Sequence, residues 1–228
     1  MAVYAVSDLH GNGKIWSQIK KIITPADRCI ILGDLIDKGP NGYAMAKEAL
    51  NDSRFIYLKG NHEKMFVDAA NDYPEWTSNM DLYFNNEGMS TWEKYEFDPN
   101  GLDFFKKMND LPLRMNYTSN DTGYTFLLSH AGWDLNQGII PDIDKYFTWN
   151  RAHLKVKTLK AIPESFIMVH GHTPVQAMEE WDGDLGAVFY DDGLKINLDI
   201  DTINTGYAIL FNLDSFDEIL VHETGVVK

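Results

Sequence analysis

Asp8-Leu-His10, Gly33-Asp34-Leu-Ile-Asp37-Lys38-Gly39 and Gly60-Asn61-His62-Glu63 are three polar islands, and each closes a short apolar run. The runs, Val3–Val6, Cys29–Leu32 and Phe55–Leu58, have the length and β-branched content of strands. Helical stretches are predicted between them, over Lys14–Ile23 and over Gly42–Leu50, the second opened by Gly39-Pro40-Asn41. This strand–helix–strand rhythm predicts parallel strands joined by right-handed crossovers. Two later islands share the layout: His130-Ala131-Gly132 after Tyr124–Ser129, and Gly171-His172-Thr173 after Phe166–Val169. Five strand ends therefore carry carboxylate, imidazole or amide groups. Strand ends gathered along one sheet edge can converge on a single site.

Taken as a set, Asp8, His10, Asp34, Asn61, His130 and His172 offer the mixed donors that divalent Mn, Fe or Zn accepts. Six groups exceed the needs of one tetrahedral ion and suit two ions that share a carboxylate. Two ions about 3.5–4 Å apart can clamp the attacking and leaving oxygens of a phosphoryl group. Charge points the same way. The 228 residues carry a net charge of −14, from 20 basic and 34 acidic side chains. That balance disfavours binding to a nucleic-acid polymer or an anionic membrane. It would also repel a phosphate substrate, unless two bound divalent cations supply positive charge where it is needed.

The remaining sequence bounds the architecture. Apolar content of 44% and aromatic content of 13% fit an ordinary globular core. No apolar run approaches the ~18 residues of a membrane span, and no signal segment precedes the first strand, so the cytoplasm is the expected compartment. Cys29 is the only cysteine and reads as a small core residue. Residues 64–115 break the strand–helix rhythm with Trp76, Tyr83, Phe84, Trp92, Tyr95, Phe97, Phe104 and Phe105, which predicts a mainly helical insert over one side of the site, its aromatics serving as packing. The last four strands, Ala187–Tyr190, Lys195–Leu198, Tyr207–Asn212 and Glu218–His222, are closely spaced and are expected to form an antiparallel meander.

In this order the five islands resemble the calcineurin-like metallophosphoesterases, with the nearest likeness to the phosphoprotein phosphatase type found among bacterial and phage Ser/Thr phosphatases. The resemblance runs from about residue 3 to residue 212. It implies an α/β fold: a four-layer αββα sandwich of two mixed β-sheets flanked by helices, in a single domain over residues 1–228. It also implies roles. Asp8, His10 and Asp34 would hold the first metal, and Asp34 would bridge to a second held by Asn61, His130 and His172. Mn²⁺ is the expected ion at both sites, with Fe or Zn as alternatives. A metal-bridging hydroxide would attack phosphorus in line, because metal binding lowers the pKa of water from about 15.7 toward ~7. His62 would protonate the leaving alkoxide and Asp37 would orient its ring. Arg151, in Trp149-Asn-Arg151, would grip phosphate oxygens through its guanidinium fork.

Two departures from the family pattern stand out. Lys38 occupies a position where most such phosphatases carry a second phosphate-gripping Arg, and Lys lacks the bidentate fork. The segment from Asn197 to Gly206 is longer than the family's compact Asn-x-Asp-x-Gly, so Asn197, Asp199 and Asp201 are left outside the expected site. His153 and His222 match no motif and read as surface or core histidines; His170 reads as a supporting or core residue. The leading expectation is a phosphomonoesterase acting on phospho-Ser/Thr protein. The alternative is a hydrolase of diadenosine tetraphosphate or another nucleotide. Such enzymes share the Gly-Asp-Leu and Gly-Asn-His elements, but usually lack a counterpart of Asp37 and carry Asp where this chain has Glu63. A non-catalytic phosphate-binding module should have lost ligands, and none is missing.

Overall fold

A computed structural model describes residues 1–133, 142–155, 157 and 165–227. Three parallel strands start the chain: β1 (Val3–Val6), β2 (Arg28–Ile31) and β3 (Phe55–Tyr57), linked by α1 (Gly13–Ile22) and α2 (Gly42–Ala49). The helical stretch follows as α3 (Asn61–Asp72), α4 (Ser78–Asn85), α5 (Met89–Glu96) and α6 (Gly101–Asn109). After it come β4 (Arg114–Thr118), β5 (Thr125–Ser129), α7 (Ile143–Trp149), β6 (Phe166–His170), β7 (Val188–Tyr190), β8 (Lys195–Asn197), α8 (Thr202–Thr205), β9 (Tyr207–Asn212), β10 (Glu218–His222) and β11 (Gly225–Val226). Among the described residues no helix is long and apolar enough to cross a membrane.

The strands form two mixed sheets. One runs in the order β11-β10-β9-β1-β2-β3, the other β4-β5-β6-β8-β7. Successive side chains of a strand point to opposite faces, so each central strand feeds two cores. From β1, Val3 and Ala5 join Ile30 and Leu32 against Phe126, Leu128, Ile167, Val169 and Ile196 of the second sheet. The alternate residues Val6, Cys29 and Ile31 face outward, onto Ile15, Trp16 and Ile19 of α1 and onto Met45 and Ala46 of α2. Phe66 of α3, Tyr83, Trp92 and Phe104 extend that outer core as a cluster of ring contacts, with centroids 5.5–6.4 Å apart around Phe66. Those aromatics pack, as expected, while Trp76 and Phe97 lie exposed.

Two expectations need correction. The last four strands do not make one meander. β7 and β8 form an antiparallel pair, but β8 also runs parallel to β6 in the second sheet, while β9 and β10 belong to the first. β8 is buried along its whole length, which suits a strand enclosed by neighbours rather than one turn of a surface meander. The helical stretch also ends earlier than predicted. β4 begins at Arg114 and pairs antiparallel with β5, an edge strand with an exposed-and-intermediate burial pattern.

Candidate active site

The five islands come together because β1, β2, β3, β5 and β6 each release their next residues at the same end of the two sheets. The backbone there is unusual. Asp8, His10, Asp34, Asp37, Lys38 and His172 all take positive φ, between 42° and 68°. Non-glycine residues rarely adopt this region, and such strain gathers at functional sites. An extended strand running on through Asp8-Leu-His10 would point the Asp8 and His10 side chains the same way. Instead β1 stops at Val6 and a turn brings the two side chains together.

Asp34 stands at the centre. Its Oδ2 lies 3.6 Å from His10 Nε2 and 3.9 Å from His62 Nε2, and Asp8 Oδ1 lies 3.9 Å from the same His10 nitrogen. Its Oδ1 lies 3.5 Å from His130 Nε2, which in turn is 2.8 Å from Asn61 Oδ1 and 3.1 Å from His172 Nδ1. One carboxylate thus faces two donor sets, one with each oxygen. Ligand atoms of His10, Asp34 and His62 lie within 4.8 Å of one another, and so do those of Asp34, His130 and His172.

Tautomers follow from the backbone. His10 Nδ1–H donates to Ile36 O at 3.2 Å, and His130 Nδ1–H donates to Leu32 O at 2.9 Å. A carbonyl only accepts, so Nδ1 carries the proton in each neutral ring, and in that tautomer Nε2 turns a lone pair to the cluster. Burial pushes the pKa of His10 well down, and does the same to His172, with His130 and Arg151 adding to it, so both rings stay neutral. Burial pushes the Asp34 carboxyl up, with Asp8 and Glu63 adding repulsion and the histidines opposing. Lone pairs of Asp34, Asn61 and His130 therefore converge in a buried space, and His172 Nε2 is buried with no hydrogen-bond partner among the described residues. Such a donor set is costly without a cation. Its carboxylate, imidazole and amide composition fits a pair of divalent transition-metal ions.

His62 differs from the other histidines. Its Nδ1 is 2.9 Å from Asp37 Oδ2, so Nε2 faces the Asp34 side. Burial works to lower its pKa, but the charges of Asp34 and Asp37 outweigh that and hold it up at about 9. Asp37 is fully buried. Its other oxygen accepts from Tyr83 Oη at 2.9 Å, and its N–H donates to Thr91 Oγ1 at 3.1 Å. Arg151 lies at the rim, exposed, with Nε donating to Thr173 Oγ1 at 3.1 Å. Lys38 Nζ sits 2.9 Å from His10 Nε2.

Several contributors escaped the sequence reading. Glu63 is completely buried and accepts from Asp34 N–H (2.8 Å), Leu35 N–H (3.0 Å), Gly60 N–H (2.8 Å) and Tyr57 Oη (2.6 Å). It clamps the second island to the third. At the start of α3 the Glu63 carboxylate accepts from the N-cap Gly60 N–H, the one half of a capping box open to a glycine cap, and a Glu three residues into a helix is the local signal for it. Tyr83 and Thr91 act from the helical stretch, and nothing local marks them. Ser7 Oγ bonds Asp8 Oδ2, which also accepts from His172 N–H at 3.0 Å. Asn197, left outside the expected site, donates to Thr173 O at 2.6 Å and accepts from Asp199 N–H at 3.0 Å, bracing the turn after His172. His170 is core, its Nε2 2.7 Å from Tyr190 Oη; His153 is buried, and His222 pairs near the surface with Thr224 Oγ1 at 2.8 Å.

Fold and donor set together define a two-sheet α/β architecture with a metal-type cluster at its strand ends. The chain belongs to the calcineurin-like phosphoesterase family, whose model matches residues 1–196. No curated protein matches it. Among solved structures it is similar to a candidate diadenosine tetraphosphatase, at 17% identity and a TM-score of 0.62, over 96% of this chain and 92% of that one. It is also similar to a metallophosphoesterase from Sphaerobacter thermophilus (17% identity, TM-score 0.58, covering 100% and 89%). A third likeness is to the cold-active protein-tyrosine phosphatase of a psychrophilic Shewanella (14%, 0.55, 99% and 80%). At these identities the likeness is one of fold.

Proposed function

We propose that the chain is a phosphomonoesterase dependent on two divalent ions, Mn²⁺ by preference, acting on phospho-Ser/Thr protein. The reading rests above all on one observation: the Asp37–His62 pair, at 2.9 Å, stands beside a carboxylate that faces two separate donor sets. Asp8, His10 and Asp34 would hold one ion, and Asp34, Asn61, His130 and His172 the other. When bound, the ions supply Lewis-acid activation of water and neutralise phosphate charge. The residues do the rest. Asp37, itself fixed by Tyr83 and Thr91, holds the His62 ring so that Nε2–H can pass a proton to the leaving oxygen. Arg151 reaches from the rim for phosphate oxygens, and Lys38 contributes a second positive charge without a fork.

The leaving group tests the proton step. An alkoxide needs the proton far more than an aryl oxide does. His62→Ala is expected to lower kcat about 10²–10⁴-fold on phosphoserine and much less on an aryl phosphate. Equal losses on both would remove His62 from that role. Activity should stop with chelator and return with Mn²⁺; metal-independent turnover would reject the reading. A second reading, hydrolysis of dinucleoside polyphosphates, is favoured by Lys38, which departs from the protein-phosphatase pattern. Rates on a phosphopeptide and on diadenosine tetraphosphate, measured side by side, separate the two.

A further inference from the structure

Lys38 Nζ lies 2.9 Å from His10 Nε2. Because His10 Nδ1–H is committed to Ile36 O, that Nε2 lone pair is the one His10 offers the first donor set, 3.6 Å from Asp34 Oδ2 and 3.9 Å from Asp8 Oδ1. A positive group from the chain itself is therefore already lodged against that set. The backbone puts it there. Gly39 N–H donates to His10 O at 2.9 Å, Asn41 N–H to Gly11 O at 3.2 Å and Lys38 N–H to Glu87 O at 3.3 Å. The two loops touch so closely that a Cβ on Gly11 would collide with the Gly39 carbonyl. The second set differs: the neighbours of His130 Nε2 are Asn61 Oδ1, His172 Nδ1 and Asp34 Oδ1, none of them a cation.

We infer that Lys38 is an internal competitor for the first metal ion, its ammonium group holding the His10 lone pair until a divalent ion displaces it, so that the two sites fill in order, the Asn61–His130–His172 set first. The inference rests on the two-ion reading above. What it adds is the inequality of the sites and the residue that sets it. It also ties two roles of Lys38 together, because the side chain becomes free to meet a phosphate oxygen only after the first ion has arrived. An ammonium donates hydrogen bonds but cannot share a lone pair with a metal, so the two occupants exclude each other.

Calorimetric titration of chelator-stripped full-length protein with Mn²⁺ tests this without turnover. The native chain should show two binding events of unequal affinity. Lys38→Met should tighten the weaker event about ten- to a hundredfold, the range expected for losing a charge-assisted competitor, and leave the stronger one in place. Lys38→Gln, a neutral side chain that keeps polarity at this exposed position, should act in the same direction and guards against a folding defect in the first variant. Unchanged affinities in both variants, or equal tightening of both events, would overturn the inference while leaving the two-ion reading standing. A native protein that takes up no Mn²⁺ would reject both.

Discussion

Replacing Glu63 tests whether one buried carboxylate holds the second and third islands in register. Its Oε1 accepts from Leu35 N–H and Tyr57 Oη, and its Oε2 from Asp34 N–H and Gly60 N–H. Glu63→Ala orphans four donors in a space with no water access at that residue. Leaving a buried donor unpaired costs ~1–3 kcal/mol each, and since the four share one partner the losses do not add fully, so about 4–6 kcal/mol is expected. Glu63→Gln is the sharper variant. Its amide nitrogen must replace one oxygen, and the better choice is Oε1, because Tyr57 can reverse its hydroxyl and accept. Leu35 N–H then loses its partner and the remaining bonds lose their charge, for about 2–3 kcal/mol. Urea unfolding reads both directly, with an unchanged slope expected because the surface exposed on unfolding is the same. A Gln variant within about 0.5 kcal/mol of the native protein would refute the accounting, since that is the range of an ordinary surface change. So would a Gln variant as damaged as Ala: Gln keeps the shape of Glu and most of its bonds, so equal loss would mean that the negative charge alone, and not the count of hydrogen bonds, carries the clamp.

A Cβ added at Gly171 would fall on Ser7 Oγ and Asp8 Oδ2; Gly171→Ala is therefore expected to displace Asp8 and weaken Mn²⁺ uptake about tenfold or more, read by equilibrium dialysis, and unchanged uptake would show that the turn can yield. Acid stability should report His153. Burial, helped by His170 and Lys195, pushes its pKa down to about 2. The unfolded chain takes up that proton first, so the contribution of the neutral ring is complete above about pH 6.5 and declines as pH falls below it. His153→Phe should flatten the urea midpoint between pH 7 and 5 relative to the native protein, and an identical slope would assign the acid loss to other groups.

Much of this molecule could be read from its residues, and the reasons for the misses are physical. β1, β2, β5 and β6 are buried on both faces, so they appear as unbroken apolar runs whose ends carry polar islands, and both features are local. β4 was missed because Arg114-Met-Asn-Tyr-Thr118 is a short edge strand whose inward face is only two half-buried residues, Met115 and Tyr117, an alternation too brief to stand out beside the helical stretch. The meander was misread because closeness in sequence does not choose a sheet: β8 finds β6, some thirty residues earlier, while its neighbour β9 pairs with β1. At the site, motif residues announced themselves through their chemistry. Tyr83 and Thr91 did not, because their contacts with Asp37 span 46 and 54 residues, and a tyrosine and a threonine in a helical segment look like any others.

The positive-φ residues at the strand ends carry a lesson for anyone wishing to make this protein more robust. Each left-handed non-glycine residue costs on the order of 1 kcal/mol, and six of them are crowded into one corner of the molecule. A search for stabilising substitutions guided by backbone preference alone would be drawn to these positions and would propose glycine at Asp8, His10, Asp34 and His172. Every such gain would delete a donor. Improvement has to come from elsewhere, from the exposed faces of α4 and α6 or from the edge strand β4, where local preference and chemistry are not at odds.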